Sequence, residues 1–401
     1  MMKPIQMVDL KSQYEKIKLQ INAGIQEVID SAVFIKGGKV VEFQHHLEEY
    51  LHVKHVIPVG NGTDALQISL MALGFRPGDE IITPTFTFIA TAEVVALLGL
   101  TPVVVDVDPD TFNISIESIR AAITSRTKAI VPVHLFGQNA DMEAILDLAR
   151  EFDLKVIEDA CQSIGSLYTF SDGRVVHSGC MGDIGCTSFF PSKNLGCYGD
   201  GGAIFTNNDE LASKIQAIAN HGMVVRYHHD LVGVNSRLDS IQAAILDVKL
   251  KYLDEYIAAR QRAAAFYDNA FAECDKITIP HRNINSTHVF HQYTIKLNDV
   301  DRSALQNYLS ELGIPAMVYY PVPLHLQKAY KNSRYREGDF PIAEMLSSCV
   351  LSLPMHTELD DEQLKYITKG VLEFIEKKQN KLIISHIINQ NELFCTPYSS
   401  D

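Results

Sequence analysis

The sequence predicts an α/β protein with a largely parallel central sheet and a smaller α+β domain after it. Three observations carry this. Short apolar runs alternate with helical stretches through the first 160 residues. Two later β-rich runs are too close together for a parallel crossover. The last third then changes pattern.

The elements follow in order. HVIPV (55–59) reads as a strand and leads to the helical DALQISLMAL (64–73). EIITP (80–84) precedes a helical segment near 88–98, and TPVVVDVD (101–108) is again β-rich. AIVPVHLFG (129–137) reads as a strand before the helix DMEAILDLAREF (141–152), and LKVIEDA (154–160) as another strand. DIGCTSFF (183–190) and GGAIFTN (201–207) are joined only by PSKNLGCYGD, so they are expected to pair antiparallel and make the sheet mixed. One long helix is expected from about 237 to 268, with SIQAAILDVKLKYLDEYI apolar on one face and charged opposite. The boundary is placed here, giving a large domain over 1–250 and a smaller one over 251–377 with helices near 301–312 and 360–376. The tail 378–401 shows no clear period and is expected to be loosely attached.

A chain of 401 residues, 46% hydrophobic and 21% charged, is long enough for one large and one small domain. Its formal charge of −14 argues against binding a nucleic-acid backbone or an anionic membrane surface. A single local cradle can still hold a small phosphorylated ligand. No run approaches the ~20 apolar residues of a membrane span, and the N-terminus lacks the apolar stretch of a signal peptide. The seven cysteines form no CxxC pair, so neither a disulfide scaffold nor a metal site is expected, and a reducing cytoplasm is the plain reading.

Lys193 is the first candidate for chemistry. It lies in SFFPSKNLGCYGDGG, where glycines and Pro191 shape a loop that a flat cofactor can approach closely. An amine nucleophile must lose its proton, which partial enclosure favours. A lone lysine is most often a solvated charge. Asp159, ending the run VIEDA, changes that balance. At a strand's carboxyl end it could keep a pyridine nitrogen protonated, although it could also cap the next helix. Gln162 follows three positions on. GNGTDAL (60–66) offers a phosphate cradle through Gly62, Thr63 and a helix N-terminus, without matching the P-loop or the dinucleotide fingerprint. Ser188 could add a hydroxyl. Phe86 and Phe88 could give an aromatic face. The pairs His45–His46 and His228–His229 do not form a zinc signature, and GCTSF is not a nucleophile elbow.

Taken together and in order, GNGTDAL, PTFTFIAT (84–91), VVVDVDPDTFNI (103–114), VIEDACQSIG (156–165), SFFPSKNLGCYGDGGAI (188–204) and GVNSRLDSIQAAIL (233–246) resemble the DegT/DnrJ/EryC1/StrS sugar aminotransferases, of fold-type I among pyridoxal-phosphate enzymes. The similarity covers roughly residues 5–375. It implies pyridoxal 5'-phosphate as cofactor, with pyridoxamine 5'-phosphate as its aminated form. Lys193 would be the Schiff-base lysine and Asp159 the partner of the pyridine nitrogen. Gln162 would sit by the ring and Phe88 would stack on it. Gly62, Thr63 and Ser188 would bind the phosphate, which Asn235 would reach from the neighbouring subunit of a homodimer. Dehydratases of the wider family carry histidine in place of this lysine.

Within the family the chain is similar to the branch that aminates C3 of UDP-2-acetamido-2-deoxy-3-oxo-D-glucuronate with L-glutamate as donor. Arg237 suits a uronate carboxylate, with orientation of the donor carboxylate or an interfacial ion pair as its competing roles. His221, Arg226 and Tyr227 are candidates for the sugar or diphosphate, and Tyr320 and His325 for the substrate pocket. Tyr319 stands where that branch commonly has histidine. A dTDP-linked 3-oxo-6-deoxyhexose is therefore the main alternative substrate, and a 4-keto sugar the lesser one. A non-catalytic regulatory protein with this fold, and a nicotinamide oxidoreductase, are the readings from other classes.

Overall fold

The computed structural model describes residues 3–330 and 334–393, with side chains of the last helix described through residue 377. Two helices, α1 (Leu10–Ser31) and α2 (Gly38–Leu51), come first. Next alternate β1 (His55–Val59), α3 (Gly62–Leu73), β2 (Glu80–Pro84), α4 (Ala90–Leu97), β3 (Thr101–Val105), α5 (Ile116–Ala122), β4 (Thr127–Ile130), α6 (Met142–Phe152) and β5 (Lys155–Asp159). A small hairpin of β6 (Leu167–Thr169) and β7 (Val175–His177) leads into β8 (Ile184–Ser188) and β9 (Gly202–Thr206). Then follow α7 (Asp209–Ile218), a second hairpin of β10 (Met223–Val225) and β11 (His228–His229), α8 (Ser240–Leu250) and α9 (Leu253–Phe271). The remaining elements are β12 (Ile277–Thr278), β13 (Tyr293–Leu297), α10 (Arg302–Glu311), α11 (Pro341–Cys349), β14 (Val350–Leu353) and α12 (Asp361–Leu393).

Seven strands make the central sheet in the order β1-β9-β8-β5-β4-β2-β3. Pairings from β8 through β3 are parallel, and β9 lies antiparallel to both β8 and β1. The sheet is therefore mixed through one reversed strand, as the short β8–β9 connection requires. Helices cover both faces, which explains why the strands read as continuous apolar runs. Ile57, Ile81 and Ile157 pack with α3, α4 and α7, whereas Ile82, Val103 and Val156 pack with α5 and α6. Near β9, Val56 and Phe205 meet Phe43 and Leu47 of α2 and Leu246 of α8.

The second core joins α9, β13, β14, α10 and α12 through Tyr267, Tyr293, Leu305, Leu351 and Ile367. Ile5 from the N-terminal segment packs into it.

Three expectations change. β4 stops at Ile130, because Pro132 has no N–H to extend the ladder, and Leu135–Gly137 turn in a 3-10 helix. The single helix expected over 237–268 is two helices, separated at Lys251–Tyr252. Of the charges expected on its solvent face, Lys251, Asp254 and Glu255 are exposed, whereas Asp247 and Lys249 of α8 are buried. The last helix runs to Leu393, beyond the expected 376. How residues 378–401 attach lies outside the described side chains.

Candidate active site

The carboxyl ends of β5 and β8, the N-terminus of α3 and the β8–β9 loop enclose a cavity of roughly 750 Å³. Lys193 lines it, in the loop that returns the chain from β8 to the reversed strand β9. Lys193 N–H donates to the Phe190 carbonyl at 2.8 Å, and Phe189 N–H donates to the Gly201 carbonyl at 2.7 Å. Gly196 is required here: a Cβ would stand 2.4 Å from the Pro191 carbonyl oxygen. Beneath the loop, Lys249 Nζ donates to the Gly196 carbonyl at 2.5 Å.

Burial pushes the Lys193 ammonium below the usual lysine range, and the nearby Cys161 and Asp159 pull the other way. The amine is thus biased towards the neutral, nucleophilic form.

Asp159 is 5% exposed at the end of β5. Its Oδ2 accepts from Thr91 Oγ1 at 2.8 Å and its Oδ1 accepts from Cys161 N–H at 3.2 Å. The local turn-capping role and the cavity-facing role therefore coexist. Two bonds leave lone pairs of the carboxylate for a further N–H. Gln162 is oriented by its neighbours: Oε1 accepts from Phe136 N–H at 3.0 Å, and Nε2 donates to Tyr320 Oη at 3.3 Å.

The phosphate end is built by α3. Asn61 caps it by accepting from Asp64 N–H at 2.8 Å. Gly62 and Thr63 N–H have no protein acceptor among the described residues, leaving two donors at a helix N-terminus. A Cβ on Gly62 would lie 2.7 Å from Ser188 Cβ and 2.9 Å from Cys161 Sγ, so only glycine keeps this cradle open. Phe88 stands 54% exposed at the cavity, its ring tilted to that of Tyr320 at 6.5 Å between centroids. A cradle of backbone donors, an aromatic face, a buried carboxylate and a buried amine fit a phosphorylated pyridine aldehyde.

The structure brings together Gly62, Thr63, Phe88, Asp159, Gln162, Ser188, Lys193, Tyr319 and Tyr320 around this cavity. It does not bring the other candidates there within one chain. His221 precedes the β10–β11 hairpin, whose connection carries Arg226 and the 76%-exposed Tyr227. Asn235 is exposed, in an isolated bridge with Asn220. Arg237 lines a separate cavity. His325 is buried, with Nδ1 at 2.9 Å from Thr85 Oγ1 and Nε2 at 3.0 Å from Glu344, so both ring nitrogens are already engaged inside the protein.

Sequence reasoning missed His291 and Cys161, which also line the Lys193 cavity. Burial, then the charges of Lys193 and Arg260, hold the His291 imidazole well below its usual range. His291 lies two residues ahead of β13, and a histidine ahead of a strand carries no signal by itself. Among the described residues no His, Cys, Asp and Glu side chains gather to hold a metal ion. No described helix is long and apolar enough to cross a membrane.

Comparison with known proteins decides the family. Residues 15–372 match the DegT/DnrJ/EryC1/StrS aminotransferase family. The chain belongs to this family. It is 47% identical over 375 residues to the pleiotropic regulatory protein of Geobacillus stearothermophilus, covering 92% of this chain and 98% of that one. It is 48% identical over 363 residues to the UDP-2-acetamido-2-deoxy-3-oxo-D-glucuronate aminotransferase of Pseudomonas aeruginosa, covering 90% and 98%. It is 40% identical over 371 residues to the dTDP-3-amino-3,6-dideoxy-alpha-D-galactopyranose transaminase of Aneurinibacillus thermoaerophilus, covering 92% and 98%.

Among solved structures, a DegT/DnrJ/EryC1/StrS aminotransferase from Brucella abortus superposes with a TM-score of 0.87 at 43% identity, covering 92% of this chain and 99% of that one. NtdA from Bacillus subtilis, with bound pyridoxamine phosphate, gives 0.83 at 35% identity, covering 92% and 83%. As a member of the DegT/DnrJ/EryC1/StrS family, the chain is a pyridoxal-phosphate-dependent aminotransferase of α/β fold-type I architecture.

Proposed function

We propose that this enzyme transaminates the C3 ketone of UDP-2-acetamido-2-deoxy-3-oxo-D-glucuronate, taking the amine from L-glutamate and releasing 2-oxoglutarate. The observation that carries the reading is the placement of cations. Among the described residues no arginine lines the Lys193 cavity. An acidic sugar therefore needs a cation from elsewhere, and Arg237 has no carboxylate partner among the described residues. A homodimer would supply it, with Asn235 reaching the neighbouring phosphate from the same segment. The likeness to the P. aeruginosa enzyme supports the same substrate.

Bound pyridoxal phosphate supplies an electrophilic carbon and an electron sink for the carbon that loses its proton. The protein's part follows from the site. Gly62 and Thr63 N–H with Ser188 Oγ would anchor the phosphate, and Phe88 would cover the ring. Asp159 would hold the ring nitrogen protonated, keeping the sink strong. Gln162 Nε2 would orient the ring's edge. Lys193 Nζ would first act as nucleophile and then, as a free amine, carry the proton between the substrate carbon and the cofactor carbon. His221, Arg226 and Tyr227 would meet the sugar nucleotide from the exposed hairpin region.

Tyr319 in the cavity favours a second reading, amination of a dTDP-linked 3-oxo-6-deoxyhexose. A purely regulatory role is disfavoured by the assembled Lys193–Asp159 site. The product would feed a bacterial surface polysaccharide, such as an O-antigen, from the cytoplasm. The test is turnover of both ketosugars at equal concentration with L-glutamate, with products identified by mass and NMR. Preference for the UDP-uronate supports the proposal, and preference for the deoxyhexose overturns the substrate assignment alone.

A further inference from the structure

A second cavity, of roughly 320 Å³, lies between α2, β1, α7 and residues 236–238. Ser236 links it to the first: it lines the second cavity, and its hydroxyl donates to Asp64, which lines the first, at 2.6 Å. The chain has 49 acidic residues against 35 basic ones, yet among the described residues no Asp or Glu lines this cavity. Its polar lining includes Lys36, Arg237, Gln44, Gln216 and Asn220. His55 also lines it and is bound to Asp209 at 2.6 Å.

The backbone that carries the exposed Lys36 is pinned to α8. Ser240 N–H donates to the Phe34 carbonyl at 2.8 Å, Gly37 N–H donates to Ser240 Oγ at 3.3 Å, and Ile35 bridges to Asp239. A Cβ on Gly37 would lie 2.8 Å from Ser240 Oγ at the start of α8 and 2.7 Å from the Val33 carbonyl oxygen, so the loop sits against α8 as closely as glycine allows. This holds Lys36 beside Arg237. Neither cation has an ion pair or a side-chain hydrogen bond among the described residues. Burial and then the Arg237 charge push the Lys36 ammonium below its usual range. Two like charges lining one cavity repel each other until an anion joins them.

We propose that Lys36 and Arg237 form a single oxyanion pocket that receives the acidic part of the sugar nucleotide, either its diphosphate or its uronate carboxylate. This rests on the sugar-nucleotide and homodimer reading given above and adds Lys36 as a specificity-determining residue. The guanidinium fork fixes two oxygens of the anion, and the ammonium adds a point charge from the side.

The experiment measures equilibrium binding of UDP-glucose and UDP-glucuronate to the cofactor-loaded wild type, Lys36→Gln and Lys36→Arg. Lys36→Gln is expected to weaken binding by about tenfold or more, and Lys36→Arg by no more than about threefold. Equal weakening of both probes assigns the pocket to the diphosphate. Weakening of UDP-glucuronate alone assigns it to the carboxylate. Unchanged affinity in Lys36→Gln, or no binding of either probe to the wild type, overturns the proposal. Wild-type turnover of the UDP-linked 3-oxo-uronate is measured separately, so failure of the substrate reading shows independently of these affinities.

Discussion

Thr91 Oγ1 donates to Asp159 Oδ2 over 2.8 Å, so the first turn of α4 holds one edge of the carboxylate at the end of β5. Thr91 acts through Asp159, as a positioning residue. Thr91→Val removes a hydrogen bond to a charged group, a loss of about 1.5–3 kcal/mol in fixing that carboxylate. It should lower kcat by about tenfold or more while leaving the cofactor bound, and Thr91→Ser should recover most of the rate. Asp159→Asn should cost roughly 10²–10³-fold in rate. Both are checked by single-turnover kinetics with L-glutamate, alongside the visible spectrum.

Gly62→Ala is a sharper probe of the phosphate cradle. The added methyl must displace Ser188 Cβ and Cys161 Sγ, at 2.7 and 2.9 Å. Overpacking of this kind costs about 1–3 kcal/mol. Cofactor affinity should fall by roughly tenfold or more, read by fluorescence titration of the cofactor-free protein.

How much of this was legible beforehand differs by element. Strands β1, β2 and β5 were read to the residue or nearly so, because helices on both faces of the sheet leave them compact apolar runs. The antiparallel return at β9 followed from the short connection after β8. The misreading of α8 has a plain cause. Periodicity assigns charges to a solvent face, whereas α8 packs against α1 and α2 and buries Lys249 to 1% exposure. The ring and phosphate residues were legible as motifs. His291 was not, since its place in the Lys193 cavity comes from a stretch of chain about a hundred residues away, just ahead of β13. Lys36 was not either, because its meaning depends on a loop pinned to Ser240.

Lys249 gives a stability prediction. Burial lowers its ammonium to about 8, and its Nζ supports the Gly196 carbonyl under the Lys193 loop. Lys249→Met leaves that buried carbonyl without its donor, a loss of about 1–3 kcal/mol. Thermal unfolding should shift down by several degrees, with the visible cofactor spectrum retained.

Acid sensitivity follows from buried imidazoles. Burial, with the Arg260 charge adding to it, lowers His356 to about 4. An unfolded histidine takes its proton near pH 6.5, so the unfolded state gains protons first as pH falls. The stability is present above about pH 6.5 and is lost progressively towards the folded value. Between about pH 7 and pH 5 the loss from this one residue is on the order of 2 kcal/mol. His288 and His291, also held well below the usual range by burial, act with the same sign. Denaturant midpoints measured across this interval should fall steadily, and His356→Gln should flatten the slope.

The central claim is that Lys193 joins covalently to pyridoxal phosphate and moves the proton in transamination. The most direct measurement is the visible spectrum of purified, cofactor-loaded wild type and Lys193→Ala, each before and after L-glutamate and then a ketosugar. The wild type should show a visible band that L-glutamate discharges and the ketosugar restores. Lys193→Ala should lose that cycle, with its rate down by roughly 10³-fold or more. A Lys193→Ala protein that keeps both the band and the cycle would contradict the account.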